Sequence, residues 1–365
     1  MPTLKKIVIK DFRNIAFQEL SFAPNVNCIS GNNGEGKTNL LDAIHYLSMT
    51  RSAFPVQDRY VTRHGTDSFT IGGTFLMENG LESRFSVQAG PGEKKVVRDD
   101  KPYGRISEHI GVLPVVMVSP GDISLVSDSG EERRRMANAL LSQMDREYLA
   151  SAQAYNRFQT LRNKELKNAA PDEQLLAVLD ERMAAPAAFI YESRAEMVRR
   201  LNPAVESYYR LISGGSESVS IEYHSDLENG SLPDILAACR ARDFALKYTS
   251  AGVQRDDFVF LMDGQPIRRF GSQGQQKSFL VALKFAQYDI MKQSYGFAPT
   301  LLLDDVFDKL DLGRISNLVS MVSGSDFGQI FITDCDRARL QEVVDRITDD
   351  RAYFDARGGV FTRVE

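Results

Sequence analysis

The chain has 365 residues, with 44 basic against 49 acidic side chains for a net charge of −5, and it is 43% hydrophobic and 25% charged. This is the balance of a globular protein with one large or two ordinary domains, and it excludes a disordered or fibrous chain. No apolar run reaches the ~18 residues of a membrane span and the first six residues lack a signal-peptide core, so a cytoplasmic chain without a membrane partner is expected.

Residues 4–9 and 69–76 read as strands, and 82–89 alternates as a strand with one solvated face. Between them an apolar run from Val26 to Ile29 predicts a buried strand, and Thr38 to Leu47 predicts a helix. The segment joining the two is Gly31, Asn32, Asn33, Gly34, Glu35, Gly36, Lys37 and Thr38. It fits the phosphate-loop pattern G-x-x-x-x-G-K-[ST] at every fixed position, and it has the strand before and the helix after that the pattern requires. Glycines let the backbone curl so that its N–H groups face phosphates, and the helix N-terminus adds a favourable dipole. Lys37 would reach the β- and γ-phosphates and the Thr38 hydroxyl would hold Mg²⁺, so a nucleoside triphosphate is the expected ligand.

Pro91 and Gly92 mark a turn, and residues 113–118 predict a buried strand closed by Ser119, Pro120, Gly121 and Asp122. Composition then changes. From Glu131 to Tyr209 glycine is scarce, and Leu140, Leu141, Met144 and Tyr148, then Leu175, Leu176, Leu179 and Met183, recur at helical spacing. Pro171 and Pro186 predict breaks between several helices, and the apolar repeat is too short-lived for a long coiled coil. Strands are predicted again at 218–223 and 257–262, a helix at 273–293, and strands at 300–303 and 329–332. The expected organisation is an α/β ATPase lobe split between residues 1–125 and 251–365, with a mainly helical insertion at 126–250.

Two further elements bear on a nucleotide. Leu301, Leu302 and Leu303 end in Asp304 and Asp305, which places carboxylates at a strand end, where a metal-holding acid must sit. Asp304 would hold Mg²⁺, and Asp305 would polarise the attacking water. Ser272, Gly274 and Gln275 open a helix and offer a hydroxyl, a close backbone approach and helix N–H groups, a second phosphate-binding surface. Cys28, Cys239 and Cys335 lack metal-ligand spacing and read as reduced, buried thiols. His45, His64, His109 and His224 are scattered and suggest no second metal centre.

The order of phosphate loop, long insertion, Ser-x-Gly-Gln helix and Asp-Asp strand resembles ABC-type P-loop ATPases of the SMC class. The details resemble the RecF family of DNA replication and repair recombination mediators. They are Leu4 to Asn14, Asn27 to Gly31, Gly36 to Ile44, Arg255-Asp256-Asp257, Gly271 to Gln276, and Asp304-Asp305-Val306 with Leu310-Asp311. The chain departs from the family pattern at Gly252-Val253-Gln254, where Gly-Pro-His is usual, and at Gly130 to Arg135. The resemblance implies an ABC-type head with a helical second lobe and no long coiled coil. It implies a head-to-tail dimer induced by ATP, with Lys37 of each chain opposite Ser272 of the other and Asp311 at the seam. Arg13 and Asn39 join the nucleotide contacts in this reading, and Thr333 stands where many relatives of the class carry a switch histidine. It further implies slow ATP hydrolysis, binding to double-stranded and gapped DNA, and RecO and RecR as partners in loading a recombinase. A chromosome-tethering SMC protein and a nuclease-coupled ATPase are the alternatives. DNA phosphates would be met by one of three basic runs: Lys94, Lys95, Arg98, Lys101 and Arg105; Arg133 to Arg135; or Arg194, Arg199 and Arg200.

Overall fold

The computed structural model describes residues 1–215, 217–306, 327–346 and 348–364. Strands β1 (Thr3–Phe12), β2 (Ile15–Ser21) and β3 (Val26–Ser30) lead into helix α1 (Lys37–Met49). Then come β4 (Phe69–Leu76), β5 (Glu82–Gly90), β6 (Glu93–Arg98), β7 (Lys101–Pro102) and β8 (Val115–Val118). Long helices α2 (Gly130–Met144), α3 (Arg146–Glu165) and α4 (Glu173–Ser213) precede β9 (Val219–His224), β10 (Asp257–Met262) and β11 (Gln265–Pro266). After them run α5 (Gln273–Tyr295), β12 (Thr300–Leu303), β13 (Ile330–Asp334), α6 (Arg337–Val344), β14 (Arg351–Arg357) and β15 (Val360–Val364). Shorter helical turns connect some of these elements.

The chain divides into two compact units. The first comprises Met1–Asp122, Leu211–Ser213 and Gln287–Glu365, and the second Ile123–Arg210 and Gly214–Ala286. The first unit holds two six-stranded sheets, ordered β2-β1-β4-β5-β6-β7 and β15-β14-β3-β13-β12-β8. In the second sheet β14, β3, β13, β12 and β8 run parallel, and β3, β12, β13 and β8 are apolar runs buried on both faces, as a covered parallel sheet requires. The antiparallel sheet alternates instead: Ile7, Ile9, Ile71 and Val87 are buried, and the residues between them face outward. Helix α1 lies on its buried face. Tyr46 packs edge-on against Phe12 and Phe69 with ring centroids 5.8 and 5.1 Å apart. Gly73 leaves room for Leu47, whose Cδ2 would lie 2.5 Å from any Cβ there. This packing seats the last turn of α1 on the antiparallel sheet.

The second unit is built on α2, α3, α4 and the β11-β10-β9 sheet. Pro171 does lie between helices, but Pro186 does not end one: α4 runs through both Pro186 and Pro203 for 41 residues. Each proline removes the N–H that would have bonded the carbonyl four residues earlier, on Arg182 and Arg199. Both residues lie on the exposed side of the helix. The buried stripe Leu176, Leu179, Met183, Ala187, Ile190, Met197, Leu201, Val205 and Tyr209 holds the helix together across them. Residues beyond 250 stay with this unit up to Ala286, later than the composition change suggested, because β10 pairs with β9 from Asp257↔His224 to Met262↔Val219.

Candidate nucleotide site

The loop after β3 curls through three glycines in the left-handed region, Gly31 (φ 151°), Gly34 (φ 85°) and Gly36 (φ 104°). At Gly31 a Cβ would sit 2.6 Å from the Ala356 carbonyl oxygen, and at Gly36 2.8 Å from the Asn14 amide, so neither position admits a side chain. Lys37 is only 4% exposed. Its Nζ donates to the Gly31 carbonyl at 2.7 Å and the Asn32 carbonyl at 3.4 Å, and lies 3.8 Å from Asp305 Oδ1. An ammonium so buried, leaning on the carbonyls of its own loop, is aimed into the concavity that phosphate oxygens would occupy.

Thr38 Oγ1 donates to Asp304 at 2.8 Å to Oδ2 and 3.0 Å to Oδ1, and Thr333 Oγ1 donates to Asp304 Oδ1 at 2.8 Å. β12 brings Asp304 here and the neighbouring β13 brings Thr333, so parallel pairing aligns the three strand ends. Asp304 is 2% exposed, and burial pushes its carboxyl up to about 6 despite the two hydroxyl donors. Asp305 follows in the left-handed region (φ 45°), and its N–H donates to Thr333 Oγ1 at 2.9 Å. A hydroxyl and a carboxylate side by side are hard oxygen donors of the kind Mg²⁺ takes, and the donor set fits that ion. Among the described residues no cluster of three His, Cys, Asp or Glu side chains forms a metal centre elsewhere.

Two hairpin turns grip the loop from outside. The β14–β15 turn supplies the Gly359 N–H to the Glu35 carbonyl at 2.8 Å and the Gly358 N–H to the Glu35 carboxylate. The β1–β2 turn supplies Asn14, whose amide reaches the Glu35 carbonyl at 3.5 Å and whose Oδ1 accepts from Asn39 at 2.8 Å. Glu35 and Asn39 are therefore spent on holding the loop. Nothing in the sequence signals this clamp, because Asn14 and Gly359 lie at opposite ends of the chain.

Arg13 sits in that turn (φ 51°), with Nε and Nη2 on the buried Asp42 at 2.8 and 2.7 Å and Nη2 on Ser52 at 3.1 Å. Asn32, Asn33 and Gly34 form the exposed tip of the loop. Of the cysteines only Cys28 is buried, its thiol pushed up to about 12 by burial. Cys335 is exposed, contrary to expectation, because it follows β13 at the site's rim: its thiol donates to Asn33 Oδ1 at 2.9 Å and lies 3.5 Å from Lys37 Nζ. Ser272, Gly274 and Gln275 belong to the second unit. There Ser272 Oγ accepts from the Gln275 N–H at 3.3 Å, Gln275 Oε1 accepts from the Ser272 N–H at 2.7 Å, and Ser272 stays exposed at the start of α5. Asp311 and Leu310 lie outside the described residues.

Comparison with known proteins gives a consistent picture. A family model described as an AAA domain matches residues 6–181. The DNA replication and repair protein RecF of Parabacteroides distasonis is 40% identical over 98% of this chain and 98% of its own length. The solved structure of the recombination mediator protein RecF with ATP, in the RecFOR pathway, is 27% identical over 100% of this chain and 98% of that chain, with a TM-score of 0.90. An Smc head domain from Pyrococcus furiosus, 17% identical over 100% of this chain and 96% of that one with a TM-score of 0.58, shares the fold.

Proposed function

The chain belongs to the RecF family of DNA replication and repair proteins, whose members have an ABC-type ATPase fold, and we propose that it is an ATP-gated DNA clamp. The observation that carries this reading is the meeting of Lys37, Thr38, Asp304 and Asp305 at the ends of β3 and β12, behind a loop already curled for phosphates. Lys37 would exchange its loop carbonyls for β- and γ-phosphate oxygens. Thr38 and Asp304 would hold Mg²⁺, which when bound neutralises charge developing between the phosphates. Asp305, half-buried and next to Lys37, would orient and polarise the attacking water. Gly31 to Gly36 cradle the phosphates, with Asn39 and Asn14 fixing the loop. Arg13, engaged with Asp42, would act by supporting α1 or by turning outward to an interface.

The start of α5 is exposed, with Ser272 free to offer its hydroxyl and the helix N–H groups to a phosphate, and this supports a reading in which a second copy supplies that phosphate. In the proposed dimer each Ser272, with Gly274 and Gln275, faces the γ-phosphate held by Lys37 of the other copy. The two identical interfaces are related by a two-fold axis. ATP then contributes free energy only to the closed dimer, and hydrolysis releases it. Double-stranded and gapped DNA, and the RecO and RecR proteins of the pathway, are its partners in this reading, with slow hydrolysis acting as a timer in the cytoplasm. Sedimentation at micromolar protein tests the proposal: ATP with Mg²⁺ should double the mass, and an unchanged monomer that nonetheless binds ATP would refute it.

A further inference from the structure

Most of the basic side chains that the sequence offered for DNA are occupied. Arg133 is paired with Asp257 at 2.7 Å, Arg134 donates to the Asp256 carbonyl at 2.7 Å, and Arg135 is paired with Glu131 and Glu132. Arg194 is buried on Asp256 at 2.5 Å, Arg199 is paired with Glu196, and Lys94 is paired with Asp58 at 2.7 Å. A different grouping emerges from strand register. The outward face of the β2-β1-β4-β5-β6 sheet carries three rows in register: Ser21, Lys6, Thr74 and Arg84; Glu19, Val8, Gly72, Ser86 and Val97; and Phe17, Lys10, Thr70, Gln88 and Lys95. These three rows hold four cations and one carboxylate, and beyond them the same face carries Glu82, paired with Lys5, and Glu93. Lys10, Arg84 and Lys95 are exposed and make no ion pair among the described residues, and Glu19 is paired with Lys6 at 2.7 Å.

The floor between the cations is low. Gly72, Thr74 and Ser86 line an open depression of about 720 Å³ whose walls include Lys6 and Arg84, with Asp100 and with Glu82, the latter paired with Lys5. Gly72 is not required by packing: a Cβ there would meet nothing nearer than 3.8 Å, whereas at the neighbouring Gly73 it would strike Leu47. With strands about 4.8 Å apart, Lys10 on β1 and Lys95 on β6 stand three strands, about 14 Å, from each other. That separation is close to the roughly 12 Å width of the duplex major groove, so the two columns can each meet one phosphate strand. A single strand would ask for stacking platforms, and this face offers one aromatic, Phe17, at the edge strand and 61% exposed.

We propose that this outward sheet face is the surface on which the duplex DNA backbone lies, with Lys10, Arg84 and Lys95 as phosphate contacts and Gly72 as the floor; this rests on the DNA-clamp reading above. The test is anisotropy titration of a labelled duplex with ATP, across a range of salt, for wild type, Lys10→Gln/Lys95→Gln, Gly72→Leu and Arg199→Gln. The double variant should bind about tenfold more weakly at low salt, with a salt slope shallower by about two counterions. Gly72→Leu should weaken binding without a change of charge, Arg199→Gln should match wild type, and all four should bind ATP equally. Unaltered affinity and slope in the double variant, or a loss confined to Arg199→Gln, would overturn the surface while leaving the clamp in place. A wild type that binds no duplex would overturn both.

Discussion

Buried charge is handled in opposite ways in the interior of the second unit and at the phosphate loop of the first. In the second, Arg162 is fully buried and answered by full charges, Asp180 at 2.6 Å and Asp243 at 2.7 Å, with Thr249 at 2.9 Å; Arg240 completes Asp180 at 2.7 Å. Arg194 and Asp256 form a similar pair, joined by Tyr223 and Asn138. In the first unit, at the phosphate loop, Lys37 rests on carbonyls and Asp304 on hydroxyls, and the Lys37–Asp305 approach is a long 3.8 Å. Charges matched by opposite charges build structure. Charges held apart and matched chiefly by neutral dipoles are kept available for a ligand that carries the missing counter-charge.

The sharpest way to break this contrast is to remove one partner from each kind of cluster. Arg162→Ala leaves Asp243 without a cation in the interior and Asp180 with Arg240 alone, and should destabilise the protein by about 3–5 kcal/mol, seen as a lower denaturation midpoint; a change below about 1 kcal/mol would mean the pairs do not hold the interior together. Asp304→Asn should do the reverse. Because the folded carboxyl is raised to about 6 from 3.8, the protonated form is favoured, so this residue's contribution to stability is present in acid and is lost as pH rises through 6. Removing the charge should therefore stabilise the ligand-free protein by about 1–3 kcal/mol near pH 7.5, a gain that shrinks as pH falls from 6 towards 4, while Mg²⁺-dependent ATP turnover is lost. Equal thermal melts of variant and wild type at pH 7.5 would contradict it.

Much of this site was legible in the sequence because its parts are local. The Gly31 to Thr38 pattern and the apolar runs ending at Ile29 and Leu303 are short-range signals, and parallel pairing aligns their ends. What stayed hidden depends on long-range packing. Pro186 reads as a break, yet the buried stripe of α4 outweighs one lost hydrogen bond. Cys335 reads as core, yet its strand ends at the loop. The Asn14–Glu35–Gly359 clamp joins residues that no spacing rule connects. Gly359→Ala examines that clamp: φ is +83° and the new Cβ would collide with the Asn14 carbonyl. It should cost about 1–2 kcal/mol and raise the KM for ATP several-fold with kcat nearly unchanged. An equal fall in kcat would place Gly359 in the chemistry instead. The smallest effect is expected at Cys335→Ser, which keeps a donor near Asn33 and should alter ATP affinity less than about threefold, while removing the sensitivity of ATP binding to thiol alkylation that its exposure predicts.

The central claim is that the charges held apart at the phosphate loop await ATP, and that ATP closes two copies on each other. Sedimentation of wild type, Lys37→Arg, Ser272→Arg and Asp305→Asn, with and without ATP and Mg²⁺, tests it most directly. The account predicts a reversible ATP-dependent dimer for wild type, monomers for the Lys37 and Ser272 variants, and a persistent dimer for Asp305→Asn. A wild type that stays monomeric at saturating ATP, or an Asp305→Asn variant that turns ATP over and dissociates normally, would contradict it.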